Sequence, residues 1–294
     1  PGAPPTGNPW LDARFISSVE PGVCRALTAR GKGEEALRRA LRLHRIGDRI
    51  QNHAPGLLYL YCGSGMKLVA LTEMNVVLRH ASVSADLRDQ VEKQLTRDEG
   101  VAVLSARLMA AESGVFEAEM RKGGFFASWP ASALLKRDVA RSLAAYQAAI
   151  ELNSAPFSAS LRLETELRDA ARSPLSFIYR SQFAPPPVVQ NRMASARLTA
   201  MARAVRILNA LQRQGDESLP FDRLALPPET FVDPFDGAPL RRKLSLAGIS
   251  IYSVGRDLKD DDGKVDPPQD FGIGPVPKPP DLKVAPAPEK RSQP

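Results

Sequence analysis

One segment limits the possible folds more than any other: "GLLYLYCGSGMKLVALTEMNVVLRHA", Gly56 to Ala81, is apolar nearly all round at helical length. A surface helix carries a single apolar stripe, whereas a helix that is apolar on every side needs cover on every side. No run in the chain reaches the roughly 20 uncharged apolar residues of a spanning helix. The segment therefore reads as the buried central helix of a bundle.

Its neighbours look like the cover. "EEALRRALRLHRIGDRI", Glu34 to Ile50, repeats apolar residues every three or four positions and places Arg38, Arg39, Arg42, Arg45 and Arg49 on a solvated face. Ser84 stands where a cap belongs before a helix that continues in period to Met120, and Gly123 and Gly124 break it. Further helices follow at 131–152 and 159–172, and a long one after "APPPVV" closes at Gly215. Past that point the period changes. "APLRRKLSLAGISIYSVG" holds two short strand-like runs around Gly248, so the expected class is a mainly α helical bundle with a small C-terminal antiparallel β hairpin or sheet, α+β in total.

The 26 prolines cluster at the start, at the 184–189 linker and at the end of the chain. The expected organisation is an extended segment 1–30, a bundle 31–184, a long helix with a β module and acidic loop 185–274, and a Pro-rich disordered tail 275–294. No signal-peptide pattern is visible in the given residues, and a start at Pro1 without Met is expected to follow a membrane anchor or export signal. The net charge of +7 comes without a nucleic-acid motif or interleaved aromatics, so no specific nucleic-acid partner is expected.

Most candidate chemistry is incomplete. Gly63, Ser64 and Gly65 imitate a nucleotide loop but lack its longer glycine frame, and the simpler reading is close approach of a neighbouring helix. His44, His53 and His80 have no zinc spacing, and Cys24 and Cys62 read as two unpaired thiols, with one disulfide as the alternative. Glu112, Glu117 and Glu119 share one predicted helix as a solvated stripe.

The stretch from Asp257 to Asp270 is different. Asp257, Asp260, Asp261, Asp262, Asp266 and Asp270 face only Lys259 and Lys264, a local charge of −4 in a chain of net +7. Crowded hard oxygens on a glycine-containing loop suit Ca²⁺, with a solvated polar turn as the alternative. An EF-hand fails on register, because placing Gly263 sixth puts Leu258 first.

The order of features carries a resemblance. A long helix ending at Gly215, then Asp233, Pro234, Phe235, Gly237 and Pro239, then Ser253, Gly255 and Asp257, then Asp270 and Gly272, resembles the C-terminal half of the major pseudopilin of type II secretion. That resemblance implies Asp257 and Asp270 as the leading Ca²⁺ ligands, with Asp266 and the Asp260–Asp262 cluster as candidates; "KDDDG" replaces the family's glycine-rich middle. The whole chain is similar to uncharacterised bacterial helical envelope proteins, many of them membrane-anchored. The expected function is a non-catalytic extracytoplasmic structural or interaction protein, periplasmic or envelope-associated, with protein partners in the cell envelope. Two alternatives stand beside it: an enzyme with a pocket in the bundle where Glu112 and His80 converge, and an envelope scaffold recruiting partners through the tail from Pro275.

Overall fold

The structure, a computed structural model, describes residues 9–53, 57–97, 155–161, 188–264 and 270–279, with isolated positions between 144 and 152. Its described helices are α1 (Pro9–Ala29), α2 (Gly33–His53), α3 (Leu57–His80), α4 (Ala85–Leu95) and α5 (Val188–Gln214), followed by strands β1 (Arg241–Ser245), β2 (Gly248–Ser253) and β3 (Phe271–Ile273). The chain is mainly α with a small antiparallel sheet. The helices expected at 131–152 and 159–172 and the continuation from Leu95 to Met120 lie largely outside the described residues, as do Glu112, Glu117, Glu119 and Asp266.

α3 is the buried centre that its composition demands. Met66, Ala70, Leu71, Met74, Val77 and Leu78 are all buried, and α1, α2 and α5 pack around them. The α2–α3 contact depends on missing side chains. A Cβ at Gly63 would lie 2.4 Å from Gln51 Cγ and 2.5 Å from the Gly47 carbonyl oxygen, while a Cβ at Gly65 would meet nothing within 4 Å. Gly63 thus has the close-approach role expected for the pair, and Gly65 does not. Beside this crossing, buried Lys67 donates to Asp48 Oδ1 at 3.0 Å and to Gln51 Oε1 at 2.8 Å, and Gln51 Nε2 donates to Ser64 Oγ at 2.6 Å. Ser64 is a tie between helices within α3, and no phosphate loop surrounds it.

The N-terminal 30 residues correct an expectation. They were expected to be extended, yet Pro9–Ala29 is helical and carries Pro21 inside it. Ile16, Val23, Cys24 and Leu27 recur at helical spacing and pack on the core, and this burial outweighs the lost proline N–H. Cys24 and Cys62 are both free thiols. Burial first, then Glu73 and Glu20, push the Cys24 thiol up to about 12, so it stays protonated. Ser84 stands at the α4 N-cap with extended backbone, but its hydroxyl makes no capping bond.

The three strands run in the order β1-β2-β3, with Arg241 opposite Tyr252 and Ile251 opposite Ile273. Side chains alternate across β2: Ile249 and Ile251 enter the same core as α1 to α5, while Tyr252 turns to the other face. That shared core spans the boundary expected at 184/185. The chain from Pro275 also differs from the tail expected to be disordered: Asn75 Nδ2 donates to the Gly274 carbonyl at 3.2 Å, His80 Nε2 lies 2.7 Å from the Val276 carbonyl, and Pro279 is buried. Residues beyond 279 lie outside the described residues.

Two glycines two residues apart, on opposite sides of α3, should respond in opposite ways. Gly63→Ala should lower stability by about 1–3 kcal/mol through overpacking, while Gly65→Ala, exposed and mid-helix, should raise it by roughly 0.5–1 kcal/mol. Urea denaturation followed by circular dichroism measures both.

Candidate metal centre in the acidic loop

The C-terminal lobe is organised by a carboxylate that the sequence reading placed only as a motif position. Asp233 is fully buried. Its Oδ1 accepts from Phe235 N at 2.8 Å and Ser253 Oγ at 2.7 Å; its Oδ2 accepts from Val254 N at 3.1 Å and Arg241 Nη1 at 2.7 Å. One side chain therefore binds its own turn, the first residue of β1 and the end of β2. Burial pushes the Asp233 carboxyl above its ordinary value, against the pull of Phe235 N–H, the Ser253 hydroxyl and Val254 N–H.

Around it, the Asp-Pro-Phe turn is clamped from outside. Phe157 N donates to the Pro234 carbonyl at 2.9 Å, Ser158 N to the Phe235 carbonyl at 2.8 Å, and the Phe157 and Phe235 rings sit 5.4 Å apart at 60°. With Ala196 and Ala200 of α5 and Val254 they form a second small core.

Beyond Val254 the chain makes a tight excursion. Gly255 and Gly263 have φ of +64° and +72°, and Leu258 and Asp262, which are not glycine, have +59° and +62°. Left-handed backbone at residues with a Cβ is held by local bonds. Asp257 Oδ1 accepts from Lys259 N at 3.2 Å; Asp260 Oδ1 accepts from Asp262 N at 2.9 Å and from Tyr252 OH at 3.1 Å. Asp262 Oδ2 pairs with Lys243 Nζ of β1. A Cβ at Gly263 would lie 3.0 Å from the Tyr252 ring, which explains a glycine there twice over.

Asp270 closes the loop. Its Oδ2 accepts from Gly263 N at 2.8 Å, its residue is 1% exposed, and its Oδ1 is buried with no hydrogen-bond partner. Burial raises its carboxyl above the ordinary range, and Asp260 and Asp261 add to this, while the backbone N–H groups of Asp261 and Gly263 oppose it.

The six expected ligands are thus divided. Asp260 and Asp261 lie close enough to act on the charge of Asp270, Asp257 is turned into its own loop, Asp262 is taken by Lys243, and Asp266 lies outside the described residues. Among the described residues, no three His, Cys, Asp or Glu side chains are gathered as a ready metal cage. Asp270 Oδ1 nevertheless fits a hard cation. It is a buried carboxyl oxygen with no hydrogen-bond donor, the kind of hard ligand that Ca²⁺ takes at about 2.3–2.6 Å.

For the enzyme alternative, His80 is engaged with the Val276 carbonyl and Glu112 lies outside the described residues. The cleft of about 320 Å³ between α3, α5 and the sheet is lined by Thr72, Asn75 and Ser250 with no titratable group. Among the described residues, no helix is long and apolar enough to cross a membrane. The fold and site define a helical protein closed by a three-stranded antiparallel lobe. No protein-family model, curated protein or solved structure matches the chain.

Asp233→Asn puts an amide N–H₂ against one pair of donors, either Phe235 N with Ser253 Oγ or Val254 N with Arg241, and should cost about 3–5 kcal/mol in urea denaturation. Asp236 supplies the pH test. Burial works against its ionisation, but the hydrogen bond and charge of Arg241 outweigh it and hold its carboxyl below the usual value. A depressed folded-state value stabilises above the unfolded Asp range of about 3.9 and is lost as pH falls through the folded value. Asp236→Asn should therefore flatten the loss of stability below about pH 4, read from melting temperature against pH.

Proposed function

We infer that this chain is a non-catalytic extracytoplasmic structural or interaction protein whose C-terminal lobe is closed by Ca²⁺, as the pseudopilin resemblance implies. The observation that carries the reading is the buried, unpartnered Oδ1 of Asp270, set beside Asp260 and Asp261. A dication relieves the crowding that burial and the neighbouring carboxylates impose on Asp270, so its binding energy becomes folding energy of the lobe.

Asp270 would hold the ion, with Asp260 and Asp261 supplying neighbouring charge. The ion would tie the loop after β2 to the start of β3. β3 pairs over only three residues, so a covalently distant staple has a large effect on whether it stays paired. Sites of this weak class fill in millimolar calcium, which suits the proposed working environment outside the cytosol. Its partners on this reading are other proteins of the cell envelope.

Added CaCl₂ should raise the melting temperature over the same protein in chelator, and Mg²⁺ should raise it less because it requires near-ideal octahedral geometry. Asp270→Asn should abolish the calcium shift, and Asp262→Asn, whose partner is Lys243, should retain it. An unchanged melting temperature with calcium and with chelator refutes the calcium staple.

A further inference from the structure

α2 sets Arg38, Arg42, Arg45 and Arg49 at intervals of four, three and four residues, a row of guanidinium groups along about 16 Å of helix axis. With Arg39, Ile46 and a single acid, Glu35, they line an open groove of about 560 Å³ that Gln90 of α4 borders. Glu34 neutralises Arg38 at 2.7 Å and Glu20 neutralises Arg39 at 3.2 Å. Among the described residues, no ion pair engages Arg42 or Arg45.

The adjacent helix adds a second, apolar feature. α1 runs antiparallel to α2, since Cys24 Sγ approaches the Ala36 carbonyl at 3.6 Å and Glu20 meets Arg39 further along. Continuing that register brings Val19 and Phe15 level with the turns of α2 that carry Arg42 and Arg45, outside the lining of the groove itself. Phe15 is 68% exposed and Val19 44% exposed, four residues apart and so on one face of α1.

We propose that this face, Phe15 and Val19 on α1 with the arginine row on α2, docks onto an anionic lipid surface. Both features are needed by that occupant. Guanidinium groups draw the face to negatively charged headgroups, and a Phe and a Val beside them enter the boundary between headgroup and acyl chain. A nucleic acid would use the cations but gains nothing from Phe15 and Val19 as placed, and no aromatic ring lines the groove for base stacking.

The test is co-sedimentation of the full chain with phosphatidylcholine vesicles, with and without phosphatidylglycerol, in chelator so that the outcome is independent of the calcium reading. The chain should pellet with the mixed vesicles and not with the neutral ones, and the association should weaken as salt rises. R42E/R45E should abolish it, with R42Q/R45Q as the milder pair if reversal impairs folding, and F15S/V19S should weaken it roughly tenfold. Melting curves show whether each variant is folded. Failure to bind the mixed vesicles, undiminished binding by folded arginine variants, or binding to an acidic peptide or an oligonucleotide without binding to vesicles overturns the proposal.

Discussion

Asp233 has no exposed surface and four donors aimed at its two oxygens, and the C-terminal lobe is built outward from it. An ionised group can be kept out of water only where its lone pairs are met, and removing any one partner leaves the others facing a charge they cannot satisfy. The turn at 233–239, the beginning of β1 and the end of β2 therefore take up their positions together. A lobe with a small apolar core gains its shape from this polar centre more than from its buried area.

The helical part uses the opposite economy. Around α3 the packing is apolar and close, and where α2 crosses it the backbones approach at Gly47 and Gly63 with no side chain between them. The two parts are joined by one continuous core through Ile249, Ile251 and Ile273, and by polar clips at the end of α3. Arg79 donates from Nη2 to the Ile249 carbonyl at 2.7 Å, and Glu217 receives Ile249 N at 3.0 Å. The sheet is thus fixed to the bundle along the edge where β2 begins. The acidic loop hangs from the opposite end of β2, where Tyr252, Lys243 and Asp270 hold its polar part and Leu258 packs on the second small core.

Burial and period explain which features were legible. α2, α3 and the close of α5 at Gly215 follow from apolar spacing and a glycine at φ +71°, which are local properties of the chain. α1 was not legible, because the proline cluster at the start suggested an extended segment, while the stabilising contacts of Ile16, Val23 and Leu27 are with other helices. The docking of Gly274 and Val276 on α3 was hidden for the same reason: Asn75 and His80 are some two hundred residues away.

The amino-acid sequence by itself determined the class, a helical bundle around an all-round apolar helix with a short β hairpin after it, because hydrophobic period is written residue by residue. It also determined that carboxylates would crowd between Asp257 and Asp270. Only the tertiary structure decided what each carboxylate does. Asp262 meets Lys243 across β1, Asp257 serves its own turn, and Asp270 is buried with one oxygen unpaired, while Asp233 holds the centre of the lobe. A carboxylate's role depends on the donors and the solvent that reach it, and those are set by chain segments brought together only when the protein folds.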